Sequence, residues 1–186
     1  MEALLKPRLS DQSVQYLRTV YERGLELRQR YDTVYKETAR NFNPTMLEWD
    51  ADPNNVGHVD LSGLYDNTGW KSSIKLGDAM HGYAFGRNTP WQRVATEDPD
   101  LMEDADARDW LQRVELHLYR QFGKSNFYDE GRLAVRCCAD FGTAIMWRES
   151  NDERLQPVYQ NLKLARCVIF ENRYGEVDVL FREVWL

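Results

Sequence analysis

The sequence predicts an α+β chain, helices first and strands last, on three observations. From Ser10 to about Phe42 there is neither proline nor a turn cluster, and apolar residues recur at helical intervals. The same period returns in two further stretches, one ending at Gly86 and one running from about Ala107 to Phe141. After Gly142 the pattern becomes that of short strands, and "ENRYGEVD" supplies the turn of a hairpin.

Ser10 reads as an N-cap, and Val14, Leu17, Tyr21, Leu25, Tyr31 and Tyr35 mark one face of the helix behind it. At ~1.5 Å per residue such a helix reaches on the order of 45–50 Å, too far for a domain of this size to cover end to end. Arg18, Arg23, Arg28, Arg30 and Lys36 interleave with Glu22, Glu26, Asp32 and Glu37. That is the pattern of a solvated face, or of a face that meets a neighbouring subunit. Residues 1–45 are therefore assigned to a long helical segment. Residues 46–62, rich in Asn, Asp, Pro and Gly, are assigned to a loop, and 63–186 to an α+β unit.

In that unit a helix is expected from Asn67 or Thr68 to Gly86, with Trp70, Ile74, Gly77, His81 and Ala84 on one stripe. Gly77 and Gly82 each cost about 1 kcal/mol against alanine inside a helix, so each implies the close approach of another backbone. "PWQRVA" is a strand candidate, and the acidic run "TEDPDLMEDADARD" suits the N-terminus of the helix after it. In that helix Ala107, Trp110, Leu111, Val114, Leu118 and Phe122 form an apolar stripe that Gly123 closes. Ser125 or Asn126 caps the next helix, and the two are expected to pair across the turn. Phe127, Ala134, Cys138 and Phe141 fall on one face of the second helix, Gly142 stops it, and "TAIMW" reads as a strand buried on both sides. "QPVYQ", "LARCVIFEN" and "EVDVLFREVWL" follow as strands, the last with Val177, Val179 and Phe181 on one face and Asp178, Leu180 and Arg182 on the other. The sequence stops on that strand, so the unit 63–186 is expected to be incomplete.

Composition narrows the function. A chain that is 42% hydrophobic and 29% charged can build a globular core, and it holds no repeat, low-complexity tract, secretory leader or membrane-length apolar run. A formal net charge of −6 argues against a surface that grips nucleic acid by neutralising phosphates, which needs clustered Lys and Arg. Cys137, Cys138 and Cys167 are odd in number, and two are adjacent, so they form no disulfide framework and read as small buried hydrophobes. His58, His81 and His117 lie in no metal-ligand spacing, and no phosphate-binding glycine motif or nucleophile elbow occurs. The clustered acids, Asp104 and Asp106 among them, leave a small acidic-site hydrolase as an alternative. Their ordinary role is to sit at a helix start. No residue is assigned a catalytic, cofactor-binding or metal-binding role, and no cofactor is expected.

"LYDNTGWKSSIKLGDAMHGYAFGRNTPWQRV", "NFYDEGRLAVRCCADFGTAIMW" and "FENRYGEVDVLFRE" together resemble, in order and spacing, the head-to-tail connector (portal) proteins of short-tailed double-stranded DNA phages. The matching positions are Leu64 to Asp66, Pro90 and Trp91, Asn126 to Tyr128, Phe141 to Ala144, and Gly175, Val177, Asp178 and Arg182. The resemblance covers about two-thirds of the chain, the peripheral, wing-like part of a connector several times longer. It implies a structural subunit of a homododecameric ring at one capsid vertex, with no catalytic residues to transfer. The implied partners are other copies of the chain, capsid protein, the packaging motor (terminase) and tail adaptors. Double-stranded DNA would pass through the channel without specific binding during packaging and ejection. The implied location is the head-tail vertex of the virion, after synthesis in the bacterial cytoplasm, with no membrane role. An acidic chain that does not trap a polyanion and a long charged helix are compatible with such a ring. A separate protein-binding module docking on the connector is the other reading. Self-association of the isolated chain is expected.

Overall fold

The computed structural model describes residues 10–46, 65–87, 89–151 and 156–184. Helix α1 runs Asp11–Phe42, begins where Ser10 Oγ accepts from the Ser13 N–H at 3.2 Å, and ends at Asn43, whose N–H donates to the Ala39 carbonyl at 3.0 Å. A 3-10 turn, Pro44–Met46, follows it. The rest of the expected 46–62 loop lies outside the described residues. Helix α2 is Thr68–Ala84, and Asp66 Oδ1 accepts from the Thr68 N–H at 3.0 Å just before it.

The acidic run builds two helix starts instead of one. Asp98 caps the short α3, Pro99–Glu103, and Asp104 caps α4, Ala105–Lys124, each carboxylate accepting from the N–H two residues on. Helix α5 is Phe127–Phe141, and Gly142 stops it at φ 72°, a left-handed conformation that glycine adopts without a Cβ penalty. Two separate antiparallel hairpins complete the α+β fold. Strand β1, Ile145–Asn151, pairs with β2, Gln156–Leu162; β3, Cys167–Glu171, pairs with β4, Val177–Arg182. Gly175, at φ 79°, turns the second hairpin.

Helices α4 and α5 meet across their turn as expected, through Phe122 and Phe127, but the more extensive helix pair is α2 with α5. Gly77 permits it: a Cβ there would stand 2.9 Å from Arg136 Cβ and 3.2 Å from Arg136 Cα. The same expectation fails at Gly82, which faces nothing within 4 Å. On α2 the buried positions are Ser73 and Gly77, and Ala84 is exposed.

Four other expectations are corrected. "PWQRVA" is extended but unpaired, because the Tyr119 hydroxyl stands where a neighbouring strand would: it accepts from the Gln92 N–H at 2.8 Å and donates to the Gln92 carbonyl at 2.9 Å. Helix α4 has no fully buried residue, and its stripe is covered only in part. On α5 the buried cysteine is Cys137, while Cys138 is exposed. That face carries Phe127, Tyr128, Gly131, Ala134, Cys137 and Phe141. Finally, β1 is not buried on both sides: Met146 and Trp147 are exposed, because β1 has β2 as its sole strand neighbour among the described residues.

Candidate assembly surfaces

Three junctions fix the frame on which any functional surface is carried. The first joins α1, α2 and α5 through Asp140. Its Oδ2 accepts from Asn43 Nδ2 at 2.8 Å and from Ser73 Oγ at 2.9 Å, with Arg136 Nε at 3.7 Å. Arg136 Nε also donates to Ser73 Oγ at 3.0 Å, and its Nη2 donates to the Phe42 carbonyl at 3.1 Å. Asn43 is 1% exposed, and its Oδ1 is satisfied by the Thr45 hydroxyl at 2.7 Å. Asn43, Ser73, Arg136 and Asp140 are bonded to one another or to neighbouring backbone, so the network specifies one arrangement of three helices, and loss of a member leaves the others short of a partner out of water.

The second junction is aromatic. Phe127, buried at the start of α5, meets the rings of Phe85, Trp91, Phe122, Tyr128 and Tyr159 at centroid distances of 4.6–5.8 Å. Pairs of this geometry contribute roughly 0.5–1.5 kcal/mol each beyond area burial. Ser125 Oγ takes the capping bond from the Phe127 N–H at 3.2 Å, which frees Asn126 for another task. The Asn126 side chain donates to the Tyr159 carbonyl at 2.7 Å and accepts from the Tyr159 N–H at 2.8 Å, and Glu130 accepts from the Asn161 N–H at 2.7 Å. The side chains of Asn126, just before α5, and Glu130, within it, thus occupy the free edge of β2 as a third strand would.

The third junction sets α1 on the second hairpin. Gly24 touches Val168 and Phe170, and Arg28 Nη1 donates to the carbonyls of Ala165 at 2.9 Å and Cys167 at 3.0 Å. Asp32 holds Arg28 at 3.2 Å. The Tyr21 ring packs on Phe181 and its hydroxyl donates to Glu183. Burial, followed by that carboxylate, pushes the Tyr21 hydroxyl up to about 12.

The groups weighed for chemistry are dispersed or committed to structure. Asp104 is engaged in its cap, Asp106 is exposed one turn into α4, and among the described residues no group of three His, Cys, Asp or Glu converges to hold a metal ion. His58 lies outside the described residues. His81 packs among Phe85 and Tyr128, where burial lowers its pKa. His117 is exposed on α4. Cys137 and Cys167 are buried, and burial raises both thiols above their ordinary value.

What remains unassigned is apolar surface. On α1 Tyr16, Leu27, Tyr31 and Val34 are exposed, and on α4 Trp110 is 63% exposed. Among the described residues no helix is long and apolar enough to cross a membrane. Sequence reasoning found α1's length and charge but missed the Asp140 junction. The available signal was a small pair on α2, Ser73 and Gly77, and a polar pair on α5, Arg136 and Asp140, each four residues apart.

Comparison with known proteins bears on these surfaces. A family model described as bacteriophage head to tail connecting protein matches residues 14–186. The portal protein of Salmonella phage epsilon15 is 29% identical over 123 residues, which are 64% of this chain and 21% of that protein. A probable portal protein of Bordetella phage BPP-1 is 25% identical over 156 residues, 84% of this chain and 28% of its own length. The chain thus spans between a fifth and a third of these relatives.

Proposed function

Because the chain belongs to the bacteriophage head-to-tail connecting protein family, we propose that it is a structural subunit of the phage connector. Copies would form a ring at the head-tail vertex of the virion. The observation that carries this reading is the family match across 14–186, which takes in all three junctions and both hairpins. The matched stretch of the relatives is a minor part of their length. Residues 63–186 are accordingly proposed as a wing-like unit, with the tunnel and stem supplied by other parts of the connector.

In this role the ring gives the genome its passage in packaging and ejection, and its partners are capsid protein, the packaging motor and tail proteins. The physical chemistry of the chain supports a structural part. Buried polar groups are spent on fixing helix positions, and a net charge of −6 avoids retaining a moving polyanion. Copies would assemble after synthesis in the host cytoplasm.

The test is to locate the chain in intact particles by cryo-electron microscopy of virions, with an antibody fragment raised against it as a marker. Density for twelve copies around the axis of a single vertex supports the proposal. Decoration spread over the capsid, or at the distal end of the tail, overturns it.

A further inference from the structure

A closed ring needs two different patches on every copy, because the surface that faces one neighbour is not the surface that faces the other. Among the described residues two helix faces of unlike charge expose large apolar side chains. On α1, Tyr16, Leu27, Tyr31 and Val34 follow one another at separations of eleven, four and three residues, hence on one side of the helix. Ala39, by which α1 meets the helical junction, lies on another side, and Gly24, which meets the second hairpin, lies at the edge of the exposed line. Arg23 and Arg30 stand on the exposed line, four residues before Leu27 and Val34 respectively, and neither forms an ion pair among the described residues.

On α4 the exposed anchor is Trp110, with Val114 one turn on and Asp106 one turn back. Leading into that face are Glu97, Asp98, Asp100, Glu103, Asp104 and Asp106, with no Lys or Arg among residues 97–107. Tryptophan is enriched among the residues that anchor protein interfaces.

Resting on the ring reading above, we propose that the α4 face of one copy seats on the α1 face of the next. Charge selects this pairing over its rivals. Placing α4 on α4 would bring two acidic approaches together, and α1 on α1 would oppose Arg23 and Arg30 to themselves. The unlike pairing sets Arg23 and Arg30 against the acidic run 97–106 while both apolar lines are covered. It also leaves a pair of copies with one α1 face and one α4 face still open, the condition for continuing around a ring.

The experiment places a photo-crosslinking side chain by Trp110→p-benzoylphenylalanine in the otherwise unaltered chain and maps inter-copy cross-links by mass spectrometry. Sedimentation velocity and negative-stain microscopy run in parallel. The expected links fall within Asp11–Phe42 of another copy. Arg23→Glu with Arg30→Glu weakens association by about tenfold or more, and adding Glu103→Arg with Asp106→Arg restores it. An unchanged circular dichroism spectrum confirms that these surface variants fold. Links to α4 of another copy, links to any other element, or association indifferent to the arginine swap overturn the contact while rings persist. A chain that stays monomeric, or stops at a two-fold dimer, overturns both the contact and the ring reading.

Discussion

Gly24→Ala tests whether α1 owes its position to the second hairpin. A Cβ at Gly24 would lie 2.6 Å from Phe170 Cζ and 2.9 Å from Phe170 Cε2, and closer still to Val168 Cγ1. Unstrained carbon contacts lie at about 3.5–4.0 Å. Val168 is 2% exposed and branched at Cβ, so it cannot swing aside. Two terms oppose each other: alanine gains roughly 0.5–1 kcal/mol in helix propensity, while overpacking a filled site costs about 1–3 kcal/mol. Contacts this short on two residues put the cost in the upper half of its range, so the net loss is about 1–2.5 kcal/mol, a fall in Tm of roughly 2–10 °C for a chain of this size. Urea and thermal unfolding of G24A, V168A and the double variant measure it. Val168→Ala vacates the nearest clash, so the double variant is expected to be more stable than the sum of the singles by about 1 kcal/mol. A G24A protein as stable as the parent, or strictly additive behaviour, would refute the claim that α1 and the hairpin are in contact at this point.

Three further outcomes follow from the junctions. Asp140→Ala, which leaves Asn43, Ser73 and Arg136 without their common acceptor, is expected to destabilise the chain by about 3 kcal/mol in urea; Asp140→Asn, which keeps an accepting oxygen, costs less. Tyr21 has a folded-state pKa raised to about 12 from the ordinary tyrosine value near 10, so its contribution is fully present below pH ~10 and disappears as the pH rises towards ~12. Unfolding midpoints measured across that interval fall for the parent and flatten for Tyr21→Phe. Cys138 is exposed while Cys137 and Cys167 are buried, so a chromogenic thiol reagent is expected to titrate one of the three thiols quickly and the other two only in denaturant, with the fast phase absent in Cys138→Ser.

The elements that could be read from sequence are those whose determinants are local. Ser10, the unbroken period to Phe42, Gly142 and the "RYGE" turn each act within a few residues, and α1, the end of α5 and the second hairpin stand where they were expected. The misreadings all depend on distant partners. "PWQRVA" has strand chemistry, but its backbone is claimed by Tyr119, twenty-seven residues after Gln92. The apolar stripe of α4 and the density of "TAIMW" are genuine hydrophobicity, yet periodicity states only that a face is apolar and not that this chain supplies its cover. Of the inferred α5 stripe, Phe127, Ala134 and Phe141 are buried and Cys138 alone is not, because the face α5 presents to its neighbours is widened towards Tyr128, Gly131 and Cys137. The Asp140 junction combines residues from three helices, a combination no single window of sequence contains.

Helix α1 is gripped near Gly24 by the second hairpin and at Asn43 by the helical junction, nineteen residues and about 28 Å apart. A rod pinned at two stations cannot pivot about either. Any push delivered to β3 and β4 must therefore reach α2 and α5 as a displacement of the whole beam, without being absorbed by a hinge between them.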